Sequence, residues 1–405
     1  MDRRIGWALA FAVLVGTPAC GGGGPPTPPG TVTVDLPPPP PGTVPPPVTL
    51  PPATALRRTA GDLQTGRRDH RATLLSNGTV LVTGGFVQGT TMAKDAEIYD
   101  PATETFRAVD DEMHFARAGH VAVLLGDGRV LVAGGWWEPS IGVLSALDEA
   151  EVFDPATETF TPVGPMTTER VDHAAATLTD GRVLVTGGSR IVGSFLEDLD
   201  TAETFDPTTD TFTLHPELMT HTRATHGMID QGNGKILLAG GSDSDLRAEW
   251  YDTVTDTFIP LSPAVGDEGR FGAAMARFSS GAVAVTGGDL LGTVLHVQTS
   301  GTVQNTGSGL SRSRAYHTAT RIATDKILVA GGIDFSDNGF VVASCDLIAE
   351  GGTGGSRTYA TPVRFQTGMA GHSATRLQSG KVLFCGGLNV VGGQPELAAA
   401  YLFTP

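Results

Sequence analysis

Six histidines recur at one register in this sequence, and a metal-binding ring of imidazoles is the first chemistry to weigh. His70, His120, His173, His226, His317 and His372 each stand fourteen positions before a pair of glycines, with Ala273 taking the place once. Three positions earlier come Arg67, Arg117, Arg170, Arg223, Arg270 and Arg314, then Met369. Zinc needs three or four ligands converging at roughly 2 Å. Side chains supplied once per repeating unit are instead spread around whatever the units enclose. The histidines are therefore expected to hydrogen-bond their own turns. The arginines are expected to pair with backbone carbonyls or with Glu97, Glu151, Glu203 and Glu249, which also repeat. Cys385 precedes a glycine pair where other copies carry Thr83, Ala133 or Thr186, so it reads as a small buried residue; Cys345 reads likewise. The acidic stretches 240–245 and 334–339 offer oxygen ligands to calcium but lack the full EF-hand spacing, so no cofactor is expected.

The elements that hold these residues are legible in the same register. The glycine pairs are Gly84-Gly85, Gly134-Gly135, Gly187-Gly188, Gly240-Gly241, Gly287-Gly288, Gly331-Gly332 and Gly386-Gly387, spaced by one unit of 44 to 55 residues. Each unit reads as four strands. Strand a is short and rich in small residues ("HAAATL", "HVAVLL"), and it meets strand b through Asn77-Gly78, Asp127-Gly128 or Asp180-Gly181. Those dipeptides predict type I′ turns, in which both central residues need positive φ. Strand b is apolar throughout ("VLVTGG", "ILLAGG"), as expected of a strand buried on both faces. Strand c ("AEIYDP", "AEVFDP") leads through an Asp-Pro turn into strand d ("ETFRAV", "ETFTPV").

The double glycine, the Arg-x-x-His opening and the Glu-x-aromatic-Asp-Pro strand resemble the kelch repeat over residues 53–405. Strand d carries phenylalanine (Phe106, Phe160, Phe212, Phe258) where the repeat usually has tryptophan. The resemblance implies an all-β fold, a seven-bladed β-propeller of four-stranded antiparallel blades around a central channel. The seventh copy supplies a, b and c but no d. An N-terminal strand near residues 53–60 is expected to complete that last blade and close the ring, removing its open edges. Galactose oxidase, itself a kelch propeller, has a Tyr-His pair among its copper ligands, and Tyr316-His317 is similar to it. His317 is already accounted for by the repeat register, however, so a copper oxidase is the less favoured implication.

The antiparallel meander puts the short a–b and c–d turns on one face and the b–c loops and d–a crossings on the other. The b–c loops vary in length: 86–95, 136–149, 189–201 and 242–247 in the first four copies. Variable loops on a rigid scaffold are where binding usually resides. The second opens with Trp136 and Trp137, two of only four tryptophans, which would suit stacking on sugars or anchoring a protein contact. Phe86, Phe195, Phe335 and Phe340 are expected to extend that ligand-binding face.

The first twenty residues are not part of the propeller. Arg3 and Arg4 precede an apolar run that is too short to span a bilayer, followed by Ala19-Cys20. This resembles a bacterial lipoprotein signal, which implies lipidation at Cys20, export, and an outer-membrane or cell-surface location. Residues 21–52 include 14 prolines in 32 positions, too many to bury a core, and are expected to form an extended linker. Membrane contact is then through the N-terminal lipid alone. The net charge of −16 argues against a nucleic-acid partner. The combined reading is a monomeric, surface-tethered propeller that binds an envelope protein or glycan without catalysis. The alternative is a carbohydrate-active enzyme, epimerase-like, since kelch propellers include sialic-acid epimerases.

Overall fold

The computed structural model describes residues 49–405 apart from 141, 243–247, 262–269, 307–308, 338, 352–354 and 390–395. The proposed signal peptide, Cys20 and nearly all of the linker lie outside the described residues. Seven four-stranded antiparallel sheets follow one another along the chain. Blade one, for example, is built of Arg71–Leu74, Val80–Thr83, Ala96–Asp100 and Thr105–Ala108 in that spatial order. Blade seven consists of Ser373–Arg376, Val382–Cys385 and Ala400–Phe403, and its outer strand is Leu56–Arg58. Leu56 pairs with Phe403 and Arg58 with Tyr401, so the N-terminal strand closes the ring.

The core lies between the blades. Along strand b of blade one, Val80 and Val82 pack with Leu383, Cys385 and Leu402 of blade seven. Leu81 turns the other way, to Val130, Val132 and Phe153 of blade two. Because successive side chains of a strand face opposite ways, both sides of strand b meet a neighbouring blade, which is why the run is apolar without alternation.

The glycine pairs join the blades. The second glycine of each pair donates its N–H to a carbonyl of the next blade: Gly85 to Arg117 O at 2.8 Å, Gly188 to Arg223 O at 2.9 Å, Gly387 to Arg67 O at 2.7 Å. Gly84 has φ +59°, and a Cβ there would stand 2.4 Å from Arg117 O. No L side chain fits such an approach.

The a–b turns differ from expectation. Gly78 has φ +89° but Asn77 is not left-handed. Gly78 N donates to Leu75 O at 2.9 Å and Leu75 N to Thr79 O at 2.8 Å. The connection is therefore a right-handed turn followed by a glycine bulge, the three-residue hairpin, rather than type I′. Ser76 supplies the extra residue that the dipeptide alone did not reveal.

Candidate functional site

The repeated arginines are engaged within their own blades. Arg67 donates to Gly84 O at 2.9 Å and to Glu97 Oε1 at 2.9 Å. Arg117 does the same with Gly134 O and Glu151, and Arg170 with Gly187 O and Glu203. Arg223 pairs with Glu249, Arg270 with Asp289 and Arg314 with Asp346. Each guanidinium thus ties the d–a crossing to the end of strand b.

The histidines hold neighbouring blades together, not their own turns as expected. His120 Nε2 lies 2.9 Å from Thr83 Oγ1, His226 2.8 Å from Thr186 Oγ1 and His317 2.7 Å from Thr286 Oγ1. His372 meets Thr318, and His70 meets Ser373 across the ring closure. The reason is the glycine joint, which brings the imidazole against the preceding blade: Gly84 has His120 Cε1 as a close neighbour. His173 faces Ala133, which offers its backbone but no hydroxyl, and its Nε2 lacks the hydroxyl partner that the other histidines have. Burial and the adjacent arginines hold these imidazoles below their ordinary range, His173 at about 3 and, chiefly through burial, His372 at about 4. Neutral rings fixed in separate joints do not form a metal ring, and among the described residues no group of three or more His, Cys, Asp or Glu is placed to hold a metal ion.

The residue before each histidine forms a hub. Asp69, Gly119, Asp172, Thr225, Gly272, Tyr316 and Gly371 all have left-handed φ, between +53° and +64°. Their amides and carbonyls link around the channel: Gly119 N to Asp69 O at 2.9 Å, Thr225 N to Asp172 O at 2.8 Å, Gly371 N to Tyr316 O at 3.0 Å and Asp69 N to Gly371 O at 2.9 Å. Left-handed backbone is costly for tyrosine and more so for β-branched threonine. Such strain is a mark of sites where geometry matters more than local stability.

A cavity of about 270 Å³ opens at this hub, on the face of the b–c loops, lined by Asp69, Arg71, Asp172, Thr225, Tyr316 and every repeated histidine except His120. Burial, reinforced by the charge of Asp69, pushes the Asp172 carboxyl up to about 6, although it accepts a hydrogen bond from Trp136 Nε1 at 3.3 Å. Burial and then the charges of Asp172 and Asp69 keep the Tyr316 phenol protonated well above its ordinary range. The cavity thus offers an acid that titrates near neutrality, a phenol donor and a guanidinium. Sequence reasoning missed Asp69, Arg71, Asp172 and Thr225. For Asp69, Asp172 and Thr225 the available signal was their shared column, set between the repeated arginine and histidine; Arg71 lies outside it. Tyr316 and His317 do not converge: the tyrosine faces the channel and stacks edge-on against Phe271, while the histidine turns into the blade joint.

On the same face, the b–c connections of blades one, two, three and six rise as small hairpins, such as Trp136–Ser140 with Val143–Ala146 and Ser189–Val192 with Phe195–Asp198. The six aromatic residues expected there divide. Phe195 and Phe340 are 59% and 51% exposed, Trp137 is half-buried against Phe115, and Phe335 packs against Ile333, Val341 and Ala370. Trp136 and Phe86 are only 7% and 9% exposed and share a cluster with Met92, Ala118 and Val171. The reason is positional. The residue after a glycine pair bridges back to the d–a crossing, Trp136 to Ala118 and Phe86 to Arg68, which places its side chain beneath the adjoining hairpin. Val143, Val192, Leu290 and Leu291 are exposed at the hairpin and loop tips, though sequence reasoning did not select them.

The remaining candidates are accounted for locally. Asp334 is buried and accepts from Ser336 N and Oγ, while Arg312 reaches both it and Asp337. The other acidic stretch, 240–245, lies partly outside the described residues. Cys345 and Cys385 are free and buried, their thiols pushed up to about 12 chiefly by burial.

Comparison with known proteins places this geometry. The Kelch motif is matched over residues 117–167, one blade's worth of chain, and the Arg, His and glycine-pair register of that segment recurs around the ring. The protein is a seven-bladed β-propeller with a Kelch motif matched in its second blade. A solved structure described as a novel fungal alcohol oxidase with catalytic diversity among the AA5 family, in complex with copper, is similar in fold: TM-score 0.66 at 18% identity, covering 86% of this chain and 75% of that one. A second, YjhT, has TM-score 0.56 at 15% identity, covering 74% of this chain and 99% of that one. No curated protein matches the chain.

Proposed function

We propose that this protein is a surface-tethered, non-catalytic binding propeller that engages a protein of the cell envelope through its b–c face. The observation that carries this reading is the set of exposed apolar tips there: Val143, Val192, Phe195, Leu290, Leu291 and Phe340. Exposed apolar side chains gathered on one face mark a surface for contact with another protein. Glycan recognition would draw on an exposed tryptophan platform, and Trp136 is buried. Strand direction supports a tether from the other side. Leu56 pairs with Phe403 at the c–d turn end of blade seven, so the linker joins the ring on the face opposite the hairpins. The reading needs no cofactor.

One observation favours a second reading, an enzyme acting on carbohydrate. The hub cavity sets Asp172, titrating at about 6, beside Tyr316 on strained backbone, an arrangement that can exchange a proton with a bound hydroxyl compound.

Cross-linking on intact cells, comparing wild type with a Val192→Ser/Phe195→Ser variant by mass spectrometry, tests the first reading. A protein captured by wild type and lost in the folded variant supports it. Equal capture by both removes these tips from the site and shifts weight to screening sugars for turnover.

A further inference from the structure

The channel's other mouth, on the face of the a–b turns, is chemically lopsided. Strand a ends at one register position in each blade, opposite the first buried residue of strand b. Blades one and two place Leu74 and Leu124 there. Blade four places Asp230, and blades five to seven place Arg277, Arg321 and Arg376. The last four residues line one cavity of about 470 Å³, whose walls include Ile229 and Met275.

Three arginines side by side are unexpected in a chain of net charge −16. Most other arginines are bonded to carboxylates, as Arg107 is to Glu158 and Arg129 to Asp210. Here Arg277 donates to Asp230 O at 2.8 Å and stands 3.8 Å from the Asp230 carboxylate. Arg321 reaches Ser279 Oγ at 3.4 Å, and among the described residues no carboxylate ion-pairs with Arg321 or Arg376. Like charges set together repel unless a counter-charge joins them. Three guanidiniums against one carboxylate leave two positive charges facing one cavity, and planar guanidinium forks match carboxylate and phosphate oxygens in pairs.

We propose that the a–b mouth of the channel binds a small dianion, carrying either two carboxylates or one phosphate, held chiefly by Arg321 and Arg376 with Arg277 positioned by Asp230. This site is separate from the b–c face and stands whether or not that face engages a protein.

Calorimetric titration of the full chain at pH 8 and fixed ionic strength tests it, using inorganic phosphate, malonate and, as the monovalent comparison, acetate. Saturable binding of phosphate or malonate at one site per chain is expected, about tenfold or more tighter than acetate. The preferred probe distinguishes a phosphate from a dicarboxylate ligand. Arg321→Gln and Arg376→Gln should each weaken it about tenfold, the equivalent of about 1.4 kcal/mol. Arg376→Lys, which keeps the charge but loses the fork, should fall between Arg376→Gln and wild type. Arg357→Gln removes an exposed charge on the outer strand of blade six and should leave binding unchanged. No saturable binding by either dianion, or equal weakening by Arg357→Gln, overturns the proposal.

Discussion

At the scale of single residues, the imidazoles are structural pins whose cost depends on one neighbouring atom. Where Thr83, Thr186 or Thr286 precedes the glycine pair, the Nε2 of the next blade's histidine meets a hydroxyl. Where Ala133 stands, His173 Nε2 is buried without a hydroxyl partner. The surroundings are otherwise alike, since Met166 and Met219 sit beside Gly134 and Gly187 in the same way. Ala133→Thr is therefore expected to stabilise the protein by about 0.5–1.5 kcal/mol, measured by denaturant unfolding; no gain would mean that the hydroxyl is not what the ring lacks. Asp172 makes a prediction of the opposite sign. Its folded-state carboxyl titrates at about 6 against an ordinary 3.8, so its contribution to stability is present below 3.8 and lost as pH rises through 6. Asp172→Asn, which tolerates left-handed backbone and keeps an acceptor for Trp136, should match wild type near pH 4 and exceed its thermal midpoint above pH 6. Parallel pH profiles would contradict this. The histidine and arginine columns were legible because they repeat; the column of Asp69, Gly119, Asp172, Thr225 and Tyr316 shares a backbone conformation but no single residue type, and a sequence does not display conformation.

At the scale of the blade, the arginine clamp and its single exception show how the unit tolerates change. Blades one to four pair arginine with a strand-c glutamate at full burial. Blade seven has Met369 in the arginine's place and Tyr401 in the glutamate's, both buried in one cluster with Phe365. Both charges are absent together, as expected if a lone buried charge is the costly state. Arg170→Met alone should therefore destabilise by about 3–5 kcal/mol, and adding Glu203→Tyr should recover part of that loss. A double variant no better than the single would show that the backbone amides of Thr167 and Thr168, which Glu203 also accepts from, dominate instead. The four-strand pattern was readable from apolar runs and turn residues in the first four copies. Strands c and d of copies five and six were not, because Val294–Val297 and Ser344–Glu350 keep the hydrophobic period without the consensus letters. The b–c hairpins were likewise read as loops, since Trp136–Ser140 carries a proline and no alternation.

At the scale of the molecule, two mouths of one channel differ in chemistry. The hub mouth is acidic and ringed by apolar hairpin tips, while the a–b mouth is basic and lies on the face where the linker joins the ring. Seven-fold closure follows from strand count and was legible; the burial of Trp136 depends on contact between successive hairpins, a long-range arrangement that local sequence does not encode. The most direct test of the b–c face as the binding surface is site-specific photo-cross-linking on intact cells, with the photoreactive residue placed in turn at Phe195, at Phe340 and at Val254. Val254 is 85% exposed on a c–d turn, on the opposite face. The account predicts one shared partner protein captured from positions 195 and 340 and not from 254. Capture of that protein from 254 with equal yield, or no capture from 195 and 340, would contradict it.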